Sequence, residues 1–162
     1  MMETDVRLSE LFLAQLDAEA PRSRHALETV SDEHDDWQPY PGSMAIGRVA
    51  TLLASVPFWL SAIIENDSVD LESPRASHLA PPMMETSEDR LLEFDAGLEK
   101  ARALLSHATE EQLRRPWRLL EGGRLVSQNP RYQVLRETFV QLARYRIQLT
   151  SYLKQSEMSL IA

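Results

Sequence analysis

The chain contains no cysteine among its 162 residues. This absence excludes disulfide bonds, thiolate metal sites and a cysteine nucleophile. Glycine is also scarce, with five residues, and none of them belongs to the glycine-rich loops that bind phosphate or a dinucleotide. The Gly-x-Ser-x-Gly elbow of hydrolases and the His-Glu-x-x-His signature of metalloproteases are missing as well. No common catalytic signature therefore identifies a reaction.

Positive charge is in deficit, because 25 acidic residues stand against 17 basic ones and give a formal net charge of -8. Such a surface repels polyanions, so we expect no nucleic-acid partner. One stretch of the chain is locally basic, and it contains Arg114, Arg115, Arg118, Arg124, Arg131 and Arg136. We interpret these side chains as solvated loop charges or partners of helix ends, with an anion site as the alternative.

Long apolar runs are also lacking, and no stretch approaches the roughly 20 apolar residues of a membrane span. The N-terminus carries acidic residues and no small-residue cleavage site, unlike a signal peptide. We therefore expect a cytoplasmic protein without membrane contact. The length and the apolar fraction of 43% are typical of one globular domain covering residues 1–162.

Apolar residues recur at the three- and four-residue spacing of amphipathic helices in four segments. The first begins near Leu8 and contains Pro21, which predicts a kink or a break into two helices. The second runs from about residue 44 to 65, with Ser43 as its cap, and Pro57 in its middle predicts a bend near Ser55. Between them, Trp37 and Tyr40 lie in a loop and are expected to plug one end of the fold.

The third helix is predicted to begin at a variant capping box, Thr86 with Asp89, and to end near residue 107. Thr109 repeats the capping pattern before a short helical turn. Gly122 and Gly123 then permit a small hairpin. The last helix is expected to include Pro130 in its first turn and to continue to about residue 155.

Four amphipathic helices can bury their apolar faces only against one another. The pattern therefore predicts an all-α four-helix bundle. A long crossover loop would connect the second and third helices, and the small hairpin would precede the last helix.

Two segments resemble the DinB/YfiT-like superfamily of helical bundles. The first, WQPYPGSMAIGRVATLLASVPFW, runs from a tryptophan through a proline-rich loop into a helix, as the family does. The second, NPRYQVLRETFVQLARYRIQLTSYLK, contains the family's Pro-Arg, Val-Leu-Arg and Arg-x-Gln-Leu steps. The resemblance implies the bundle fold, a tendency to form homodimers and a site near the open end of the bundle.

In metal-binding members of this superfamily, three histidines hold zinc or nickel, one on the second helix and two on the last. The matching positions of this chain are Leu52, Gln141 and Tyr145. Leucine has no lone pair, an amide oxygen is a weak ligand, and a phenol must first lose a proton with a pKa of about 10. We therefore expect no metal and no cofactor here.

The four histidines of the chain do not replace the missing ligands, because no two of them are three or four residues apart. We expect surface or capping roles for them. His25 is the histidine that the first helix could bring near the pocket; the others are His34, His78 and His107. The adjacent acids Asp35 and Asp36 are interpreted as helix-start charges.

The leading hypothesis is a DinB-like protein that has lost the metal site and binds a small molecule or another protein. Its binding residues would be those of the vacated pocket, Leu52, Gln141, Tyr145, Trp59 and Arg144. In the alternative of a purely structural role, Leu52 and Tyr145 fill the former metal cavity and Gln141 forms a hydrogen bond inside it. Trp59 and Trp117 are then core residues rather than walls of a pocket.

Two further hypotheses stay open. One is a metal-independent enzyme, related to the family's thiol-dependent transferases or hydrolases, in which the Tyr145 phenol acts as an acid and Arg144 or Arg146 holds an anion. The other is a purely structural homodimer. No catalytic residue is assigned.

Overall fold

The computed structural model describes the backbone of residues 6–72 and 80–161 and the side chains up to residue 157. This part of the chain is mostly helical, as predicted. Its helices are α1 (Leu8–Thr29), α2 (Ile46–Glu65), α3 (Ser87–His107), the short α4 (Glu110–Arg114) and α5 (Arg131–Ile161), with one 3-10 turn at Asp32–His34.

The four long helices surround one hydrophobic core. Both α1 and α2 pack against α3 and against α5, whereas α1 and α2 scarcely touch each other. The largest apolar side chains of the core have no exposed surface, and they include Leu16, Leu27, Leu53, Leu60, Phe94 and Leu142. Each long helix therefore buries its apolar face against two neighbours, which is how amphipathic helices are stabilised.

The expectation that no segment has the apolar length of a membrane span is corrected by α2. By length and composition, Ile46–Glu65 is apolar enough to cross a membrane. However, 72% of the most apolar 18-residue stretch of this helix is buried inside the protein. A helix that is buried in a protein core is apolar on all sides because all its sides contact other apolar groups. The apolar character of α2 is thus explained by its place in the core.

Two prolines lie inside helices without ending them. The helix α1 continues through Pro21, so the predicted break into two helices is wrong. The helix α2 likewise continues through Pro57. Side chains before and after Pro21, such as Leu16 and Leu27, are fully buried. This packing holds the helix together across the backbone hydrogen bond that proline cannot donate.

The start of α2 differs from the prediction. The helix begins at Ile46, and Ser43 does not cap it, because its hydroxyl donates to the carbonyl of Tyr40 at 2.6 Å. The first helical N–H groups are instead bound by loop carbonyls: Ile46 donates to Trp37 at 2.9 Å, and Gly47 donates to Asp35 at 3.0 Å. The loop that precedes the helix therefore caps it with its backbone.

The loop aromatics behave differently from each other. Trp37 packs edge-on against Tyr152, with ring centroids 5.7 Å apart. Tyr40 is 66% exposed, so the prediction that it plugs the fold is wrong. Asp35 is not a helix-start charge, because it receives two hydrogen bonds from the buried Arg90 at 2.9 and 3.2 Å. This ion pair ties the loop to α3.

The predicted cap of α3 is confirmed. The hydroxyl of Thr86 accepts a hydrogen bond from the Asp89 N–H at 3.1 Å, and the Asp89 carboxylate accepts one from the Thr86 N–H at 3.2 Å. Backbone hydrogen bonds from Glu85 and Thr86 lower the pKa of Asp89. Thr109 caps α4 in the same way, by accepting from the Gln112 N–H at 3.1 Å.

The hairpin is also confirmed, and it belongs to a three-stranded sheet in the described chain. Its strands are β2 (Pro116–Glu121) and β3 (Arg124–Pro130), joined by Gly122 and Gly123 at φ angles of 59° and 79°. Pro130 ends β3 and precedes the first residue of α5, so it does not lie in the first helical turn. The fold is thus mostly helical and not all-α.

The third strand was not predicted. The segment β1 (Ser68–Asp70) lies in the expected crossover loop and pairs in parallel with β2, with Val69 opposite Leu119. The Asp70 carboxylate accepts hydrogen bonds from the Gly122 and Gly123 N–H groups at 2.9 and 2.8 Å. This contact fastens the crossover segment to the hairpin turn.

Candidate functional site

A cavity of about 630 Å³ lies between α2, α5 and the small sheet. Small-molecule sites in proteins are typically roughly 300 to 1,000 Å³ in volume. All five residues proposed from the sequence for the vacated pocket line this cavity, namely Leu52, Trp59, Gln141, Arg144 and Tyr145. The fold therefore brings these residues together from two helices that are distant in sequence.

The walls of the cavity are mainly apolar. Trp117 and Val69 are 7% and 5% exposed and come from neighbouring strands of the sheet. Trp59, on α2, is half-buried and packs edge-on against Phe58 with ring centroids 5.3 Å apart. Both tryptophans line the cavity, and Trp117 is at the same time a buried member of the hydrophobic core. The sheet side of the cavity could not be foreseen from the sequence, because β1 was not predicted.

The polar edge of the cavity comes from α5. Glu137, Thr138, Gln141, Arg144 and Tyr145 repeat at helical spacing and so share one face of the helix. The Thr138 hydroxyl donates to the Val134 carbonyl at 2.8 Å. Within the described chain, the other four side chains make no hydrogen bond or ion pair. Their polar atoms are therefore available to a ligand.

The three positions that the sequence resemblance matches to metal ligands, Leu52, Gln141 and Tyr145, line the same cavity, and none of the three side chains is a typical ligand for zinc or nickel. Leu52 and Tyr145 are half-buried, while Gln141 is exposed and makes no internal hydrogen bond in the described chain. The geometry thus differs from the structural alternative, in which Leu52 and Tyr145 fill the cavity and Gln141 forms an internal hydrogen bond. Among residues 6–72 and 80–161, no three His, Cys, Asp or Glu side chains could hold a metal ion together.

Leu52 also borders a second cavity beside α2. This cavity has a volume of about 660 Å³ and shares Leu52, Ser55 and Trp59 with the first one. Its remaining lining includes Arg48 and Asp36. The face of α2 that carries Leu52, Ser55 and Trp59 therefore borders two cavities.

The histidines lie elsewhere. His25 is exposed on α1, and no described residue of α1 lines the first cavity. His34 belongs to the 3-10 turn, and the Nδ1 atom of His107 lies 2.9 Å from the Ala103 carbonyl at the end of α3. His78 lies outside the described residues. The expectation that His25 could approach the pocket is wrong.

Arg131 has a structural role that was only partly foreseen. Its side chain is 1% exposed and donates to the carbonyls of Ile63 at 2.9 Å, Gln112 at 2.9 Å and Asn66 at 3.0 Å. It also donates to the Asp67 carboxylate at 2.5 Å, and this contact lowers the pKa of Asp67. For this residue the helix-end interpretation is correct, because it binds the last carbonyls of α2 at the base of the cavity.

The other arginines of the basic stretch do not converge on one point. Arg114 forms an ion pair with Glu110 at 3.3 Å, and Arg115 forms one with Glu111 at 3.0 Å. In both pairs the glutamate lies four residues, or one helical turn, before the arginine. Arg118 donates to the side chain of Gln128 on the neighbouring strand at 3.0 Å. These contacts match the interpretation as solvated charges and leave the anion-site alternative without support.

No family model and no curated protein matches the chain. Solved structures of similar fold exist, among them the following two. A DinB-like protein from Bacillus subtilis, YjoA, has 17% identity and a TM-score of 0.69, over 91% of this chain and 92% of the other. A proposed member of the DinB family from Exiguobacterium sibiricum has 19% identity and a TM-score of 0.67, over 96% of this chain and 95% of the other.

These similarities show the fold. The chain has the fold of DinB-like proteins, and the family resemblance seen in the sequence is confirmed at that level.

Proposed function

We propose that this chain is a DinB-like four-helix bundle that has lost the three-histidine metal site and binds a small molecule in the cavity between α2 and α5. One observation carries the proposal. The positions that correspond to metal ligands line an open cavity of about 630 Å³ with apolar walls and a few polar side chains without partners in the described chain. Sites for small molecules commonly have this composition.

A neutral fluorescent probe, N-phenyl-1-naphthylamine, tests the proposal. It contains no charge, so its binding reports only on an accessible apolar cavity. We expect saturable binding with one site per chain. Replacing Leu52 with tryptophan adds volume at the border of the cavity and should abolish the signal.

The matched control is Leu92→Trp, because Leu92 is 63% exposed on α3 and lines none of the cavities described above. Thermal melts of both variants establish that they are folded. If the probe does not bind in a saturable way, or if Leu52→Trp binds it as well as Leu92→Trp, the proposed binding site is wrong.

The loss of the metal site has its own test. Mass spectrometry of tag-free protein should find no stoichiometric zinc or nickel, and either metal bound at one ion per chain would contradict the proposal. In the reverse experiment, Leu52, Gln141 and Tyr145 are replaced together by histidine. Binding of nickel by this variant, measured by calorimetry, would support the assignment of the three positions, and failure would contradict it.

A metal-independent enzyme is the second candidate. Arg144 lines the same cavity as Tyr145, whereas Arg146 binds the Glu19 carboxylate at 2.7 and 3.0 Å. The side chains available for an acid and an anion-binding group are therefore Tyr145 and Arg144. A panel of thiol and ester substrates tests this candidate. Activity that is unchanged in Tyr145→Phe would remove the phenol from the mechanism.

Homodimer formation and a cytoplasmic location remain part of the proposal. The helix α5 carries two exposed apolar side chains, Val140 at 45% and Ile147 at 58% exposure. Sedimentation at micromolar concentration should show a dimer, and a monomer alone would exclude it.

A further inference from the structure

We propose that the ligand of the α2–α5 cavity is an amphipathic carboxylate, with its apolar body between α2 and the sheet and its carboxylate against Arg144. This inference rests on the proposed function, because it names the class of molecule that the same cavity binds. It is carried by the distribution of polar groups around the cavity.

The apolar body is matched by the deeper walls. Val56, Ile63, Val69 and Trp117 line the cavity and are each at most 7% exposed. The Ser55 hydroxyl, which also borders the cavity, already donates to the Leu52 carbonyl at 2.8 Å. The Trp117 Nε1–H is a buried donor without a partner in the described chain. Apart from this group, the inner part presents carbon to a ligand and favours an apolar chain or ring by burial of its surface.

The carboxylate is matched by donors on one turn of α5. Gln141 lies three residues before Arg144 and four before Tyr145, so it neighbours both side chains on the helix surface, and all three line the cavity. None of them has a hydrogen-bond or ion-pair partner among the residues that the structure describes. The planar guanidinium of arginine binds a carboxylate through two parallel hydrogen bonds. The amide and the phenol can add neutral donors beside it.

The neighbouring Arg146 shows the difference between an arginine with a partner and one without. Arg146 donates hydrogen bonds from Nε and Nη2 to the two carboxylate oxygens of Glu19 across the α1–α5 interface. Arg144 borders the cavity instead, so its positive charge is directed at the ligand space without an internal counter-ion in the described chain.

The acidic residue of the cavity determines orientation. Glu137 lies seven residues before Arg144 on α5, which corresponds to about 10 Å along the helix axis. At that distance the two side chains do not form an ion pair. Glu137 repels an anionic group at its own end, and Arg144 attracts it at the other end. A cationic ligand would show the opposite preference.

Three ten-carbon probes distinguish these cases: decanoate, 1-decanol and decyltrimethylammonium, each below its micellar concentration. Displacement of N-phenyl-1-naphthylamine measures their affinities. We expect decanoate to bind about tenfold more tightly than 1-decanol, because the carboxylate adds a charge-assisted hydrogen bond to Arg144 to the same apolar contacts. Arg144→Gln should weaken decanoate binding about tenfold and leave 1-decanol unchanged.

The matched control is Arg136→Gln, because Arg136 is exposed on the same helix and does not line the cavity. Equal affinity for decanoate and 1-decanol, or an unchanged decanoate affinity in Arg144→Gln, would overturn the inference while the binding of the neutral probe still supports the cavity. Preferred binding of decyltrimethylammonium that is lost in Glu137→Gln would also overturn it. Absence of any binding, including that of the neutral probe, would contradict the proposed function itself.

Discussion

At its middle, around Pro57, the helix α2 meets α3 and α5 in different ways. Towards α3 the helices touch: a Cβ atom added to Gly97 would lie 2.9 Å from the Cβ of Pro57 and 3.3 Å from the backbone nitrogen of Phe58. The depression beside this contact has a volume of about 260 Å³. Towards α5 the same helix borders a cavity of about 630 Å³.

The difference comes from the partner side chains and not from α2 alone. On α3, a glycine allows the two backbones to approach. On the other side, β1 and β2 provide Val69, Trp117 and Leu119 as a wall beside α5. Close packing makes the first interface sensitive to one added methyl group, while the second can accept a whole ligand. Amphipathic helices alone therefore do not determine where a site forms.

The largest effect is expected at the base of the open side. Arg131→Met removes the hydrogen bonds that join α5 to the Ile63 and Asn66 carbonyls at the end of α2 and to the Gln112 carbonyl of α4, and it takes this donor from all three carbonyls. We expect the free energy of unfolding to fall by about 3 to 5 kcal/mol. Urea denaturation measures the change, with the exposed Arg136→Met as the control. A loss equal to that of the control would show that this end of α2 is not held by Arg131.

The next effect concerns the close-packed side. Gly97→Ala should destabilise the protein by about 1 to 3 kcal/mol, because the new methyl group overlaps Pro57. In an unobstructed helix the same substitution stabilises by about 1 kcal/mol. The sign of the change in urea denaturation therefore tests the contact. A stabilised Gly97→Ala variant would mean that α2 and α3 are further apart than described.

Leu52→Trp sharpens the comparison, since it adds far more volume than one methyl group but on the open side. We expect a change in the free energy of unfolding within about 1 kcal/mol, because the cavity accommodates the indole. The same denaturation experiment applies. A larger loss than in Gly97→Ala would show that the cavity is closed in solution.

The smallest effect is a pH dependence at the Arg131 contact. The Arg131 guanidinium lowers the pKa of Asp67, so the stabilisation from this pair is fully present above the ordinary Asp pKa of about 4. It is lost as the pH falls through the lowered pKa. Asp67→Asn should therefore lose less stability than the wild type between pH 7 and pH 3. Identical losses in the two proteins would contradict the assigned partner.

Features determined within a few residues were predicted from the sequence. Thr86 and Asp89 bond to each other's backbone, and Gly122 and Gly123 adopt positive φ angles that most other residues avoid. The helical periodicity of α2 and α5 is a local property of the same kind. It placed Gln141 and Tyr145 on one face before any tertiary contact was known.

Features that need a distant partner were missed. The strand β1 exists because Val69 pairs with Leu119, fifty residues later in the chain. The buried Arg90 finds Asp35 at a separation of 55 residues, and charged side chains are rarely fully buried without such a partner. No local sequence pattern predicts contacts between residues that are fifty or more positions apart in the chain.

The candidate site combines both kinds of information. The sequence by itself predicted that Leu52, Gln141 and Tyr145 occupy the positions that the resemblance matches to metal ligands, because identity and spacing are properties of the chain. Only the tertiary structure decided that these residues border an open cavity with Val69 and Trp117 as further walls. The reason is physical: an empty volume is set by the distances between separate helices and strands, and those distances depend on side chains that are far apart in sequence.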